Sequence, residues 1–109
     1  MDTSSRLSAY SEYTIKWATQ DWEIEQAYEL RRRVFCDEQT LFENDDRDVT
    51  DQSAQLLVAL GGYGGWHEQV VGTVRIHPVG PSTWHGSRLA VDPNFRNCGH
   101  LGSTLIKLA

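Results

Sequence analysis

Only two cysteines, Cys36 and Cys98, occur in 109 residues. They lie far apart and in no C-x-x-C arrangement, so neither a disulfide framework nor a cysteine-based metal site is written into the chain. No apolar run approaches the ~20 residues that a membrane-spanning helix needs. The opening MDTSSRLSAYSEY lacks the basic-then-apolar order of a secretory leader, so a cytoplasmic protein with no membrane partner is expected. Positive charge is scarce too, with 10 Lys and Arg against 15 Asp and Glu and a net charge of −5. Without a basic stripe, nucleic acid is not expected as a partner. The four histidines, His67, His77, His85 and His100, never fall at the spacing of a helical metal pair, and no metal is expected. Also missing are a G-x-S-x-G elbow, a Walker loop, a dinucleotide fingerprint and any repeat of twenty to fifty residues.

What is present is organised around the last stretch, GSRLAVDPNFRNCGHLGSTLIKLA, from Gly86 to Ala109. A short apolar run, Leu89-Ala90-Val91, ends at Asp92-Pro93-Asn94, because proline cannot donate to a strand ladder. Beyond a glycine-containing loop, Leu101, Leu105, Ile106 and Leu108 recur at helical spacing, which predicts a helix beginning between Gly99 and Gly102. The first N–H groups of a helix lack intrahelical partners and carry partial positive charge. Gly99 and Gly102 allow close approach to that backbone, and Arg96 adds a cation, so the junction suits a phosphate or pyrophosphate. An ordinary strand-to-helix turn would carry the same glycines. Charge follows the same division: residues 1–85 hold seven basic and fourteen acidic side chains, whereas residues 86–109 hold three and one. An acidic body beside a positive loop suits an amine meeting an anionic cofactor, or is a solvated acidic surface.

Residues 1–11 are polar and Ser-rich, a flexible N-terminus. Tyr13, Ile15 and Trp17 alternate with Thr14 and Lys16, predicting a half-buried strand. Thr19 or Asp21 can cap a helix with Glu23 and Glu25 in its first turn and Ile24, Ala27, Tyr28, Val34 and Phe35 on one face, running to Phe35 or Glu38. Arg31, Arg32 and Arg33 point ~100° apart on such a helix. They are read as solvated, or as partners of Glu29 and Asp37, rather than as a phosphate site. Glu43 to Asp48 lacks the glycine and closing glutamate of a calcium loop, and is read as a hydrated turn or as a substrate-facing edge. Gln55–Leu60 and Gln69–Ile76 predict adjacent antiparallel strands joined by the glycine-rich segment 61–68. His77-Pro78 ends the second of these, and the last strand spans Ser87 to Val91. His77 and His85 flank the connection between them, either as two separate exposed imidazoles or as a close pair. Together these elements predict an α+β fold with a mixed, largely antiparallel sheet flanked by helices.

Two motifs carry a resemblance. The segment from Leu89 through Arg96-Asn97-Cys98-Gly99-His100-Leu101 resembles the cofactor loop of the GNAT family, the GCN5-related N-acetyltransferases. The next small residue, Gly102, stands one place late, which leaves two alignments of the loop open. Upstream, Leu30-Arg31-Arg32-Arg33-Val34-Phe35, then Glu38-Gln39 and the acidic run, resembles the opening of GNAT sequences, with an ElaA-like order. The resemblance implies transfer of an acetyl group from acetyl-CoA, as co-substrate, to a primary amine of a small molecule or peptide. It implies that Leu89, Ala90 and Val91 pair with the pantetheine arm, and that Arg96, Asn97, Cys98, Gly99, His100, Leu101, Gly102 and Ser103 hold the pyrophosphate. It also makes Phe42, Asp45 and Asp46 candidates for acceptor contact.

An amine with a pKa near 10.4 must shed a proton before it attacks. Glu38 and His77 are the candidate bases. The acid is a tyrosine beyond the cofactor helix in the family, and Tyr10, Tyr13, Tyr28 and Tyr63 all lie upstream. Apolar periodicity still runs at Ala109 without a C-cap. Residues 12–109 are therefore expected to be a partial acetyltransferase domain lacking its C-terminal strands, inclined to homodimerise or swap elements. A non-catalytic acyl-CoA-binding or interaction module is the alternative function.

Overall fold

The computed structural model describes Tyr10 and residues 12–41, 43, 45–63 and 66–96. Four strands form one antiparallel sheet in the order β1-β2-β3-β4: β1 Glu12–Trp17, β2 Gln55–Tyr63, β3 Trp66–Pro78 and β4 Trp84–Val91. Between β1 and β2 come helix α1, Asp21–Arg32, a π-helical turn, Arg33–Glu38, and a 3-10 turn, Val49–Gln52. The fold is α+β. The predicted cofactor helix and the whole loop Asn97–Ser103 lie outside the described residues, which end in a 3-10 turn at Pro93–Phe95.

Alternation in the strands sends side chains to both faces of the sheet. Val58, Leu60, Val70 and Ala90 bury against Ala27, Leu30 and Val34 of α1 and the π-turn. Leu57, Ala59, Val71, Val74 and Ile76 form a second cluster with Phe95, on which Tyr13 and Ile15 also pack. Lys16, on the opposite face of β1, reaches Glu23 of α1 at 2.8 Å.

Several expectations need correction. The start of α1 is capped at Gln20, not Thr19 or Asp21, because the Glu23 carboxylate reaches back to accept the N–H groups of Thr19 and Gln20 at 2.9 and 3.0 Å. This is the reciprocal half of a capping box. Gly61 and Gly62 belong to β2 rather than to a flexible turn. They are required there by close packing: a Cβ on Gly61 would overlap the Tyr10 ring, and one on Gly62 would overlap the Trp66 carbonyl. The β3–β4 hairpin is longer than expected. β3 continues through His77 and Pro78, and β4 begins at Trp84 rather than Ser87, because His77 pairs with His85 and Pro78 with Trp84 across the ladder. Proline at the last position of a strand removes only a terminal bond.

Arg31 is the largest correction. It is fully buried, and its guanidinium binds Asp46 through Nε at 2.7 Å and Asp51 through both terminal nitrogens at 2.8 and 3.0 Å. The Asp48–Asp51 segment is itself locked: the Asp48 carboxylate accepts the Thr50 N–H, and the Asp51 carboxylate accepts the Asp48 N–H. Arg75, nearly buried on β3, adds bonds to Asp48 at 2.7 Å and Asp51 at 3.4 Å. Asp46 and Asp48 of the acidic run are thereby clamped onto the sheet, while Glu43 and Asp45 stay exposed. Arg32 pairs with Glu29 and Asp37 as expected.

Candidate functional site

The site forms where the π-turn passes β4. A π-turn widens the helix by one residue per turn and is found disproportionately at functional sites. Here the Gln39 N–H bonds the Val34 carbonyl at 2.9 Å and the Leu41 N–H bonds that of Phe35 at 2.8 Å. The widened turn leads into Thr40, whose φ is +51°. β4 is also distorted. Thr73 faces Ala90 and Arg75 faces Ser87, so Arg88 and Leu89 together stand opposite Val74, a bulge. Arg88 takes a left-handed φ of +54°, unfavourable by about 1–2 kcal/mol for a side chain with a Cβ. Its guanidinium offsets that strain by donating to the Asp46 carbonyl at 3.2 and 3.1 Å and to the Asp48 carboxylate at 3.1 Å.

Two clefts lie between these distorted elements and share Leu89 as a wall. One of about 400 Å³ is lined by Phe35, Leu41, Arg88 and Leu89. The other, about 240 Å³, is lined by Val34, Gln39, Leu89, Val91 and Arg96. Among the described residues β4 is an edge strand, and an edge offers main-chain groups to an extended ligand. At the Arg96 end, the guanidinium donates to both Glu38 oxygens at 2.7 and 2.9 Å and through Nε to the Val91 carbonyl at 3.0 Å. The hydrogen bonds and charge of Arg96 hold the Glu38 carboxyl below the usual carboxylate range, and the same pairing raises Arg96. A further cleft of about 420 Å³, walled by Trp17, Ile24, Tyr28 and Leu56, offers no carboxylate, imidazole or guanidinium from its lining.

The tertiary structure therefore brings together Glu38, Leu89, Val91 and Arg96, with Ala90 between them, buried beneath the ladder. His77 stands elsewhere. Val91 faces Gly72 whereas His77 faces His85, which separates His77 from the Val91 end by roughly 16 Å along the strand at about 3.3 Å per residue. Asp45 is exposed and lies 3.6 Å from Arg47. Asp46 is buried, with its carboxylate held by Arg31 and by Arg88 at 3.3 Å. Asn97, Cys98, Gly99, His100, Leu101, Gly102, Ser103 and Phe42 lie outside the described residues. Residue patterns gave no sign of Leu41 or Arg88 as lining groups. Only the bulge and the π-turn bring them to the clefts, and neither has a periodicity signature. Among the described residues no group of three His, Cys, Asp or Glu side chains is arranged to hold a metal ion, and no helix is long and apolar enough to cross a membrane.

A family model described as "Acetyltransferase (GNAT) family" matches residues 11–109. No curated protein matches the chain.

Proposed function

We propose that this chain, which belongs to the GNAT family of acetyltransferases, acetylates a primary amine of a small molecule or peptide at the groove between the π-turn and β4. Family membership points to acyltransfer in general, and the finer reading rests chiefly on one observation. The two clefts that meet at Leu89 lead to a cation, Arg96, held beside a carboxylate, Glu38.

Acetyl-CoA, when bound, supplies the acetyl group as an activated thioester. Arg96 is suited to the phosphates, since a guanidinium binds them bidentately as it binds Glu38 here. Leu89, Ala90 and Val91 present an edge strand to the pantetheine arm. The acceptor amine enters as an ammonium ion and must be deprotonated. A carboxylate of ordinary pKa near 4.3 accepts that proton from an amine near 10.4 only at a cost of about 8 kcal/mol. Glu38 is therefore assigned to holding the ammonium and passing its proton on through water, while the apolar walls of Phe35 and Leu41 lower the amine's own pKa by desolvation. Pairing with Arg96 weakens Glu38 as an acceptor, and drawing Arg96 onto a phosphate releases it.

The acidic run adds little to acceptor choice. Asp46, Asp48 and Asp51 are matched by Arg31, Arg75 and Arg88, whereas Glu38 is the carboxylate held on Arg96 of the groove wall.

A non-catalytic acyl-CoA-binding module is the second reading. It is favoured by one observation: no tyrosine lines either cleft at β4, so neither cleft offers a phenol to protonate the leaving thiolate. Calorimetry with CoA, run beside a thiol-release assay over amines, amino acids and peptides, separates the two. Binding with turnover supports acetyl transfer, binding without turnover supports the module, and no binding removes both.

A further inference from the structure

We propose that His77 and His85 form a binding site for one borderline divalent transition-metal ion, Zn²⁺, Ni²⁺ or Cu²⁺, across the β3–β4 hairpin. The two are direct register partners in the antiparallel ladder, so their side chains project from the same face of the sheet. Their ring centroids lie 5.4 Å apart with planes at 73°. Two imidazoles sharing an ion at about 2.0–2.1 Å from each nitrogen have centroids about 5 Å apart at a tetrahedral angle. The observed separation is close to that value.

A second observation points to a ligand. Nδ1 of His77 is buried and has no hydrogen-bond partner. A buried polar atom in that state has lost its water without gaining a partner, and an ion accepting its lone pair removes the deficit.

The surroundings tolerate the added charge. The neighbouring pair on the same face is Arg75 and Ser87, and the Arg75 guanidinium is already balanced by Asp48 and Asp51. No carboxylate completes a group of three among the described residues, so water or an incoming ligand fills the remaining positions. Two imidazole nitrogens as the protein's ligands select ions that favour imidazole over Mg²⁺ and Ca²⁺, which demand oxygen. Such an ion straps β3 to β4 at the hairpin end distant from the groove.

The test uses the full chain without a histidine tag. ZnCl₂ and NiCl₂ are titrated in competition with a chromophoric chelator, and thermal unfolding is followed in parallel. One ion per chain is expected, with a melting temperature that rises with ion concentration and an affinity that rises with pH, since a ligating imidazole must be deprotonated. His85→Asn and His77→Asn should each weaken binding at least tenfold, whereas His67→Asn, at an exposed position on the far end of β3, should not. His85 is exposed, so its replacement leaves packing intact, and a native circular-dichroism spectrum verifies this. The proposal is overturned if folded His85→Asn binds Zn²⁺ as tightly as the parent, if the parent takes up no ion, or if MgCl₂ raises the melting temperature equally.

Discussion

Two ionic clusters in this molecule use the same side chains to opposite ends. The first joins Arg31, Arg75 and Arg88 to Asp46, Asp48 and Asp51, and its centre, the Arg31–Asp46 pair, is wholly removed from water. The second is the Arg96–Glu38 pair, with 40% and 36% of the side-chain surfaces exposed. Removing charges from water costs several kcal/mol per ion, so the buried cluster must keep every partner in place. The exposed pair has paid little desolvation and contributes little stability. Its partners can be exchanged for a ligand's charges without unfolding anything. Burial, rather than residue type, separates a scaffold from a binding group.

The sharpest way to break that contrast is at Arg31. Replacing it by Met leaves Asp46 and Asp51 without their principal cation, and a loss of about 3–5 kcal/mol is expected in urea unfolding. A loss below about 1 kcal/mol would mean that the cluster is not the scaffold described. Next is Asp51→Asn, which removes a bidentate acceptor and should cost about 1.5–3 kcal/mol at neutral pH. Burial pushes the Asp51 carboxyl up, but the hydrogen bonds and charges of Arg31, the Asp48 N–H and Arg75 outweigh it and hold it below its usual value. A depressed carboxyl stabilises fully above the unfolded pKa, near 4, and loses that contribution as pH falls through the folded value. The parent should therefore lose stability below pH about 4 more steeply than Asp51→Asn, and parallel acid limbs would contradict the assignment.

At the exposed pair the expectation reverses. Arg96→Glu should lower CoA affinity by about 1–3 kcal/mol through a lost charge-assisted contact and added repulsion, with the urea midpoint unchanged. Calorimetry that finds the same affinity would remove Arg96 from the site. The smallest effect belongs to neither cluster. Glu23→Gln keeps an acceptor for two N–H groups at the start of α1 and gives up only the charge facing Lys16, which should cost about 1 kcal/mol, without altering CoA binding.

Legibility in the sequence followed the range of the interactions involved. The alternation of Tyr13, Ile15 and Trp17 and the spacing of Ile24, Ala27, Tyr28 and Val34 are local patterns, and each marked its element. The acceptor role expected for Asp46 came from the resemblance, which sets the loop after the first helix beside the acceptor. Its partners Arg31 and Arg88 lie 15 and 42 residues away, beyond any local pattern. Glu38 and Arg96 were both legible as candidates, whereas their contact, across 58 residues, was not.

By itself the sequence determined an α+β chain, its antiparallel β2–β3 pair, its GNAT family membership and the two stretches that border the groove. The elements follow from periodicity and short motifs, which depend on backbone geometry within a few residues, and the family from resemblance to its motifs. Tertiary structure alone decided that Arg31 is buried, that Arg88 is held in a left-handed bulge, and that the helix opens into a π-turn beside β4. It also set His77 against His85. Each of these depends on which strand register and which desolvated charges come together when the sheet closes on the helix, and a solvent-excluded ion pair has no meaning until that packing exists.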